Sequence, residues 1–353
     1  MVETKPSANA EKAPARLSSA YPPVAHPDAW LLAELNALDQ FAADHVRTGK
    51  GGPFGAALRL YDATLDQWIS VAGPAGNAVL TKGIGSAHAE AETLDQTTVQ
   101  AVLAYRDQHP SHHLHLLQLS TAESCPACRA KQVTFMHQLM ARGWPEDWPM
   151  VVAFGATYEQ TAAIAGFNDR PYDEDLKRPT PALMTIHQTT HDQLAFEVVK
   201  DWPFAAITVG DEVISLIDRP GPLAMEVAAI QAAAQHQRAQ GQDQPWRLDH
   251  HHPARLITSA DAVGPLMWTE CQWAAVGEII LVTDMPSTPP ESPMMDNQAL
   301  LAAIRAPYNA EGAVITVKHL GQGTGFANQA QQIWRDEIIA TDPSQLYNGT
   351  DTP

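Results

Sequence analysis

The sequence predicts an α/β protein: three-layer α/β/α domains around a mixed central sheet, duplicated in tandem. Three observations carry that expectation. Helical and strand-like stretches alternate through the first half in the order helix, two strands, helix, strand, helix, strand, which places helices over a mixed sheet. The same order of elements returns in the second half, with short words of sequence echoed alongside. The chain has 353 residues, 45% of them hydrophobic and 18% charged, the balance of a globular protein with room for two cores.

Residues 29–46 carry Trp30, Leu31, Leu35, Leu38, Phe41 and Ala42 at helical spacing, an amphipathic helix. Residues 49–55 form a glycine-rich break. Residues 56–61 and 68–72 then read as the two strands of a hairpin. Residues 86–97 open on Ser86 and continue with Ala, Glu and Leu, a helix with its start signal. Residues 114–120 are a short apolar strand, 126–140 a helix, and 150–154 a strand of the buried type. Residues 170–181 hold three prolines and several charges and read as a linker.

The echoes run in one order. Phe54 in Gly-Pro-Phe-Gly-Ala matches Phe204 in Trp-Pro-Phe-Ala-Ala. The run from His88 to Glu92 matches the run from Ala224 to Ala228, and Ser120-Thr121-Ala122-Glu123 matches Thr258-Ser259-Ala260-Asp261. A duplication explains this order; two unrelated α/β domains are the plainer alternative. The expected partition is a mobile N-terminal arm over 1–25, a first domain over 26–178, a linker at 179–183, a second domain over 184–340 and a tail over 341–353.

Acidic residues outnumber basic ones 40 to 22, for a net charge of -18. Such a field repels phosphate backbones, so a small neutral ligand is the better partner and nucleic acid a poor one. No run of about 20 apolar residues is present to span a membrane. The opening stretch lacks the apolar core of a secretion signal. The three cysteines, Cys125, Cys128 and Cys271, do not make a disulfide framework. Their close pair suits metal or redox chemistry in a reducing compartment, and the expected location is the cytoplasm.

The chemistry concentrates in His88-Ala89-Glu90 and Cys125-Pro126-Ala127-Cys128. A catalytic zinc takes three protein ligands and leaves one coordination position open. Cysteines three apart on the first turn of a helix place both sulfurs on one face, and His88, near another helix start, can supply the third donor. Helix N-termini favour the thiolates. Glu90 follows the histidine by two residues and is placed to move protons rather than to bind metal. A structural zinc site lacks a second close cysteine pair here, and a redox pair leaves His88 and Glu90 unexplained. The His112, His113 and His115 cluster, like His250 to His252, reads as a solvated loop before a strand.

This pattern resembles the cytidine deaminase-like superfamily, whose signature is H-x-E followed by P-C-x-x-C; Ser124 stands where the proline before the first cysteine is usual. Within it, the resemblance is closest to guanine deaminases and tRNA adenosine deaminases, over about residues 26–178. The resemblance implies a Zn2+ ion on His88, Cys125 and Cys128, with Glu90 as the catalytic proton shuttle. From the motif at residues 51–56 it implies that Phe54 packs on the substrate ring. It implies that Asn77 hydrogen-bonds the substrate, and that Asp169, in Ala-Gly-Phe-Asn-Asp, meets a purine's amino edge. Each has a structural alternative: core aromatic for Phe54, turn residue for Asn77, helix cap or exposed loop acid for Asp169. The aromatic residue that guanine deaminases often place after the second cysteine is absent, with Thr134 near that position.

The second half resembles the same fold with its chemistry removed. Ala224 replaces the histidine, residues 263–266 stand where the Cys-Pro-Ala-Cys run would be, and Glu226 alone persists. Deaminases of this group usually act as dimers, so the resemblance implies a one-zinc pseudo-dimer in which the silent copy supplies walls to the active one. The expected activity is hydrolytic deamination of a small nucleobase-like substrate, guanine or a related heterocycle. An RNA adenosine deaminase with a fused inactive partner, and a zinc-containing interaction protein without catalysis, stay open as alternatives, as does a further homodimer.

Overall fold

A computed structural model describes residues 27–157, 160, 185–194, 202–220, 224–242, 245–249, 252–288 and 315–319. Helix α1 (Pro27–Arg47) leads into the hairpin β1 (Gly52–Asp62) and β2 (Gln67–Asn77). Two single-turn helices follow, α2 (Val79–Lys82) and α3 (Ala89–Glu92), then α4 (Gln96–Gln108), β3 (Leu114–Ala122), α5 (Pro126–Met140) and β4 (Met150–Ala156). The second half contains β5 (Thr185–Thr189), β6 (Ala205–Val209), β7 (Glu212–Ile217), α6 (Met225–Ala239), β8 (Ala254–Thr258), α7 (Pro265–Trp273), β9 (Val276–Val282) and β10 (Ile315–His319).

The expected α/β class with mixed sheets is what forms. One sheet runs β10-β4-β3-β1-β2, the other β5-β9-β8-β6-β7. The senses match as well as the order. β1 lies antiparallel to β2 and β3, while β3, β4 and β10 run parallel. β6 lies antiparallel to β7 and β8, while β8, β9 and β5 run parallel. The outer parallel strand of the second sheet, β5, comes from the same half as its partner β9, whereas that of the first sheet, β10, follows β9 in the chain and crosses over to lie on β4. Residues 184–340 thus give one strand to the sheet of the first half.

Strand alternation sends side chains of the first sheet to opposite faces. Leu58, Leu60, Leu114, Leu116, Met150 and Val152 pack under α4 and α5, against Val99, Val102, Phe135 and Leu139. Ala57, Leu117, Leu119, Val151 and Ala153 pack under Leu31, Leu35 and Leu38 of α1. Apolar residues on both faces make the middle of a three-layer arrangement. In the second sheet, Ala205, Ile207, Leu256 and Ile279 pack against Ala229, Ile230 and Ala233 of α6 and Met267, Trp268 and Cys271 of α7.

Two expectations are corrected. The hairpin strands extend well past 56–61 and 68–72, because the ladder continues through irregular register steps to Gly52 and Asn77. The single helix expected over 86–97 is broken. The Glu90 carbonyl is taken by the Thr93 hydroxyl at 2.8 Å and the Gln118 side-chain amide at 3.0 Å. The chain then restarts at Asp95, whose carboxylate accepts from the Thr98 amide at 2.8 Å, a side-chain N-cap.

The halves meet through α5 and α7 and through the α2–α3 segment. Ala130 packs with Val227 and Leu266, and Trp246 closes over Ala78, Val79, Ile84 and Ala87. Arg238 donates to the Thr81 carbonyl. Gly83 ends α2 at φ +65, where a Cβ would also come within 2.9 Å of the Arg238 side chain; glycine meets both demands.

Candidate metal centre

Two helix mouths face each other. Cys125 caps α5, Pro126 follows as the first helical residue, and the Cys125 sulfur accepts from the Cys128 amide at 3.4 Å. Proline fixes φ at a position whose missing N–H is not needed, and the cap sets Cys125 and Cys128 on one face. His88 caps α3 in an extended conformation, and Glu90 is the second residue of that turn. A buried amide network joins the two mouths. Gln118 on β3 holds the Glu90 carbonyl, while Gln132 on α5 donates to Gln118 at 2.6 Å and to Ser124 at 2.8 Å.

The result is one cluster. His88 Nδ1 lies 3.2 Å from the Cys125 sulfur and 3.4 Å from the Cys128 sulfur, and the sulfurs lie 3.4 Å apart. These three donor atoms could hold a metal ion, and they are the one such group of three found among the described residues. A tetrahedral zinc with ordinary bond lengths has edges of about 3.8 Å between sulfurs and about 3.6 Å from sulfur to nitrogen. The donors need to open by only a few tenths of an ångström, and two thiols with an imidazole suit a soft, tetrahedral cation. Glu90 is buried, with Oε2 3.6 Å from the Cys128 sulfur.

The titrations express the crowding of donors. Burial works to lower the His88 pKa, but the Cys125 thiolate outweighs it and carries the imidazole up to about 9. Burial opposes ionisation of Cys125, yet the Cys128 thiol and the His88 charge hold its pKa well below the usual thiol value. Burial, then the bond to Cys125, pushes Cys128 up. Burial and the Cys125 charge push Glu90 up. Without a cation the cluster keeps protons that a cation would displace.

The other expected residues divide. Asn77 ends β2, 2% exposed, and its Oδ1 accepts from the Val79 amide at 3.1 Å. The next residue, Ala78, donates to the Ala87 carbonyl at 2.7 Å, so Asn77 is tied to the segment that carries His88. Phe54 is half-buried on β1. Asp169 lies outside the described residues. His112 of the His-rich loop meets the fully buried Asp62 carboxylate at 2.6 Å, and Asp62 also accepts from the Tyr105 hydroxyl at 2.9 Å. That loop is therefore partly a buried hydrogen-bonded structure.

In the second half, Ala224 caps α6 as His88 caps α3, and Glu226 holds the place of Glu90. Gly264 caps α7 with Pro265 next, so the structural counterpart of Cys125–Cys128 is Gly264–Met267, one residue later than the sequence suggested. Glu226 Oε1 accepts from the Thr258 hydroxyl at 2.6 Å and lies 3.3 Å from that of Thr288. Trp273, on the last turn of α7, was not marked by any motif in the sequence, although its ring meets the His88 imidazole and packs on Cys125 and Cys128.

No protein-family model matches the chain, and no curated protein does. Among the solved structures similar to parts of it are the following two. A guanine deaminase from Bacillus subtilis is 21% identical over 47% of this chain and 83% of its own, with a TM-score of 0.28. A mutant of NE0047 in complex with 8-azaguanine is 18% identical over 41% of this chain and 68% of its own, with a TM-score of 0.26. No described helix is long and apolar enough to cross a membrane.

Proposed function

We propose that the chain is a zinc-dependent hydrolytic deaminase of a small amino-substituted heterocycle, guanine or a related ring. His88, Cys125 and Cys128 hold the zinc and Glu90 moves the protons. The observation that carries this reading is the convergence of three donor atoms beside a buried carboxylate that is not one of them. Zinc in such a site supplies Lewis acidity and a nucleophilic water near neutral pH.

The protein's own groups account for the rest. Glu90 takes a proton from the attacking water and gives it to the ring nitrogen next to the amine-bearing carbon. The carbon–oxygen bond forms, the carbon–nitrogen bond breaks, and Glu90 passes a further proton to the leaving group, which departs as ammonia. Its burial beside the Cys128 sulfur suits a group that must hold a proton between steps. The Asn77 carbonyl oxygen is spent on Val79, which leaves its amide N–H groups to meet an acceptor on the ring. Phe54 and Asp169 are assigned to the ring face and the amino edge.

The second half is read as a fused silent copy, giving a pseudo-dimer with one metal per chain. The matching strand orders and the matching caps at His88 and Ala224, Cys125 and Gly264 support it. The test is ammonia release by zinc-loaded protein against a panel of bases, nucleosides and related heterocycles. One or a few are expected to be turned over. Glu90→Ala should keep its zinc and lose about 10²–10⁴-fold in rate. A zinc-loaded chain that deaminates nothing, or a Glu90→Ala variant as fast as the parent, overturns the reading.

A further inference from the structure

The two helix mouths are filled differently where each meets the opposite half. At the first mouth, Trp273 of α7 sets its ring against the His88 imidazole, with centroids 4.9 Å apart and planes at 84°, and packs on Cys125, Ala127 and Cys128. Counted from the helix caps, the matching residues at the second mouth are Thr134 for Trp273, Ala224 for His88 and Leu266 for Ala127. All three line a cavity of about 210 Å³. A threonine and an alanine stand where the other mouth has an indole on an imidazole, and the smaller side chains leave space.

Both halves build the walls. Ile84 is held under Trp246 of the second half, Phe135 comes from the core of the first, and Val227 on α6 packs with Leu266; all line the cavity. Most charged groups of the lining are already engaged. Lys82 pairs with Glu92, and the Asp95 carboxylate accepts from the Thr98 amide and hydroxyl. Two donors are left. Lys131 on α5 has no ion pair or hydrogen bond among the described residues, and Glu270, whose charge reaches it from α7, lies outside the lining. Ser86 is 2% exposed, and its hydroxyl has no hydrogen-bond partner among the described residues. An ammonium and a hydroxyl set among apolar walls complement an anionic oxygen pair on an apolar body.

We propose that this cavity between the halves is a binding site for a small organic carboxylate. Lys131 and Ser86 take the anion, and Ile84, Phe135 and Val227 take the ring or branched chain. The volume equals that of several waters in the liquid, room for one ring bearing a carboxylate. The site is separate from the metal centre, since His88, Glu90 and the two cysteines are not in its lining. It stands whether or not the chain is a deaminase.

Calorimetric titration of the full chain with benzoate, phenylacetate and isovalerate, each beside its neutral amide, tests it. At least one acid is expected to bind about 10-fold or more tightly than its amide, the preference that a charge-assisted hydrogen bond gives. The affinity should be the same before and after metal removal. Lys131→Met keeps the apolar stem, removes the charge and should erase the preference for the acid. Thr134→Trp installs the residue of the matching mouth; it should fill the cavity and abolish binding, with a melting temperature no lower than the parent's. If the tryptophan variant does not fold, Lys131→Met decides alone. Binding of none of the acids, equal binding of acid and amide, or an unchanged preference in Lys131→Met overturns the proposal. So does full binding by a folded Thr134→Trp chain, and so does binding lost on metal removal, which places the carboxylate on the metal.

Discussion

The mouth formed by α3 and α5 and the mouth formed by α6 and α7 start from similar extended caps and carry opposite chemistry. Each carries a buried glutamate as the second residue of a helix. Around Glu90 stand an imidazole and two sulfurs, and burial with the Cys125 charge pushes its pKa up. In the second half Ala224 and Gly264 stand at the caps and Met267 at the position of the second sulfur, and the hydroxyls of Thr258 and Thr288 occupy the Glu226 carboxylate. The difference teaches that the scaffold places a carboxylate at the helix mouth whatever its use. The three donor atoms that could hold a cation stand beside it only in the first half among the described residues.

Breaking the comparison on the first side has the largest expected effect. Cys125→Ser removes a soft donor and the sulfur cap of α5 together, so bound metal falls from one equivalent to none and ammonia release disappears, as metal analysis and assay would read. Next comes building the absent site on the second side. Ala224→His, Gly264→Cys and Met267→Cys combined should raise metal content from one to two equivalents per chain. The same graft shifted one residue back, to Val263 and Leu266, should leave it at one, because the caps and not the sequence echo set the sulfur positions.

A smaller effect separates the two glutamates. Thr258→Val strips the shortest hydrogen bond from Glu226 and should cost about 1–3 kcal/mol in denaturant unfolding while leaving ammonia release at the parent's level. The smallest concerns a third buried acid. Asp39 on α1 is fully buried, lacks a hydrogen-bond partner among the described residues, and is pushed by burial up to about 8. A raised acid pKa means that the native state holds a proton the unfolded chain has released. Its contribution to stability is therefore full below about pH 4 and is lost as pH rises through about 8. Asp39→Asn should flatten that slope and gain on the order of 1–2 kcal/mol at pH 7, read as melting temperature against pH.

Local signals made much of the first half legible. Amphipathic spacing found α1 to within two residues of each end, and Pro126 fixed the start of α5. The alternating order of elements gave the α/β class. The break in the helix at residues 93–95 was hidden, because it depends on Gln118, which is 25 residues or more away in sequence and takes the carbonyl of Glu90. The one-residue error at Gly264 had a similar source: a proline and a faint echo cannot say which residue turns the chain into the helix. His112 looked like loop because its partner, Asp62, lies 50 residues away.

The sequence by itself determined the donor set, since the identities and spacing of His88, Glu90, Cys125 and Cys128 are local facts and helix geometry follows from spacing of three and four. Only the tertiary structure decided that these donors converge within hydrogen-bonding distance, that β10 completes the sheet of the first half, and that Trp273 stands against His88. Those are contacts across more than a hundred residues in the last two cases, set by packing of buried surfaces whose apolar residues look alike in sequence. Hydrophobic burial rewards area removed from water without regard to partner, so the choice of partner emerges only when the whole chain is folded.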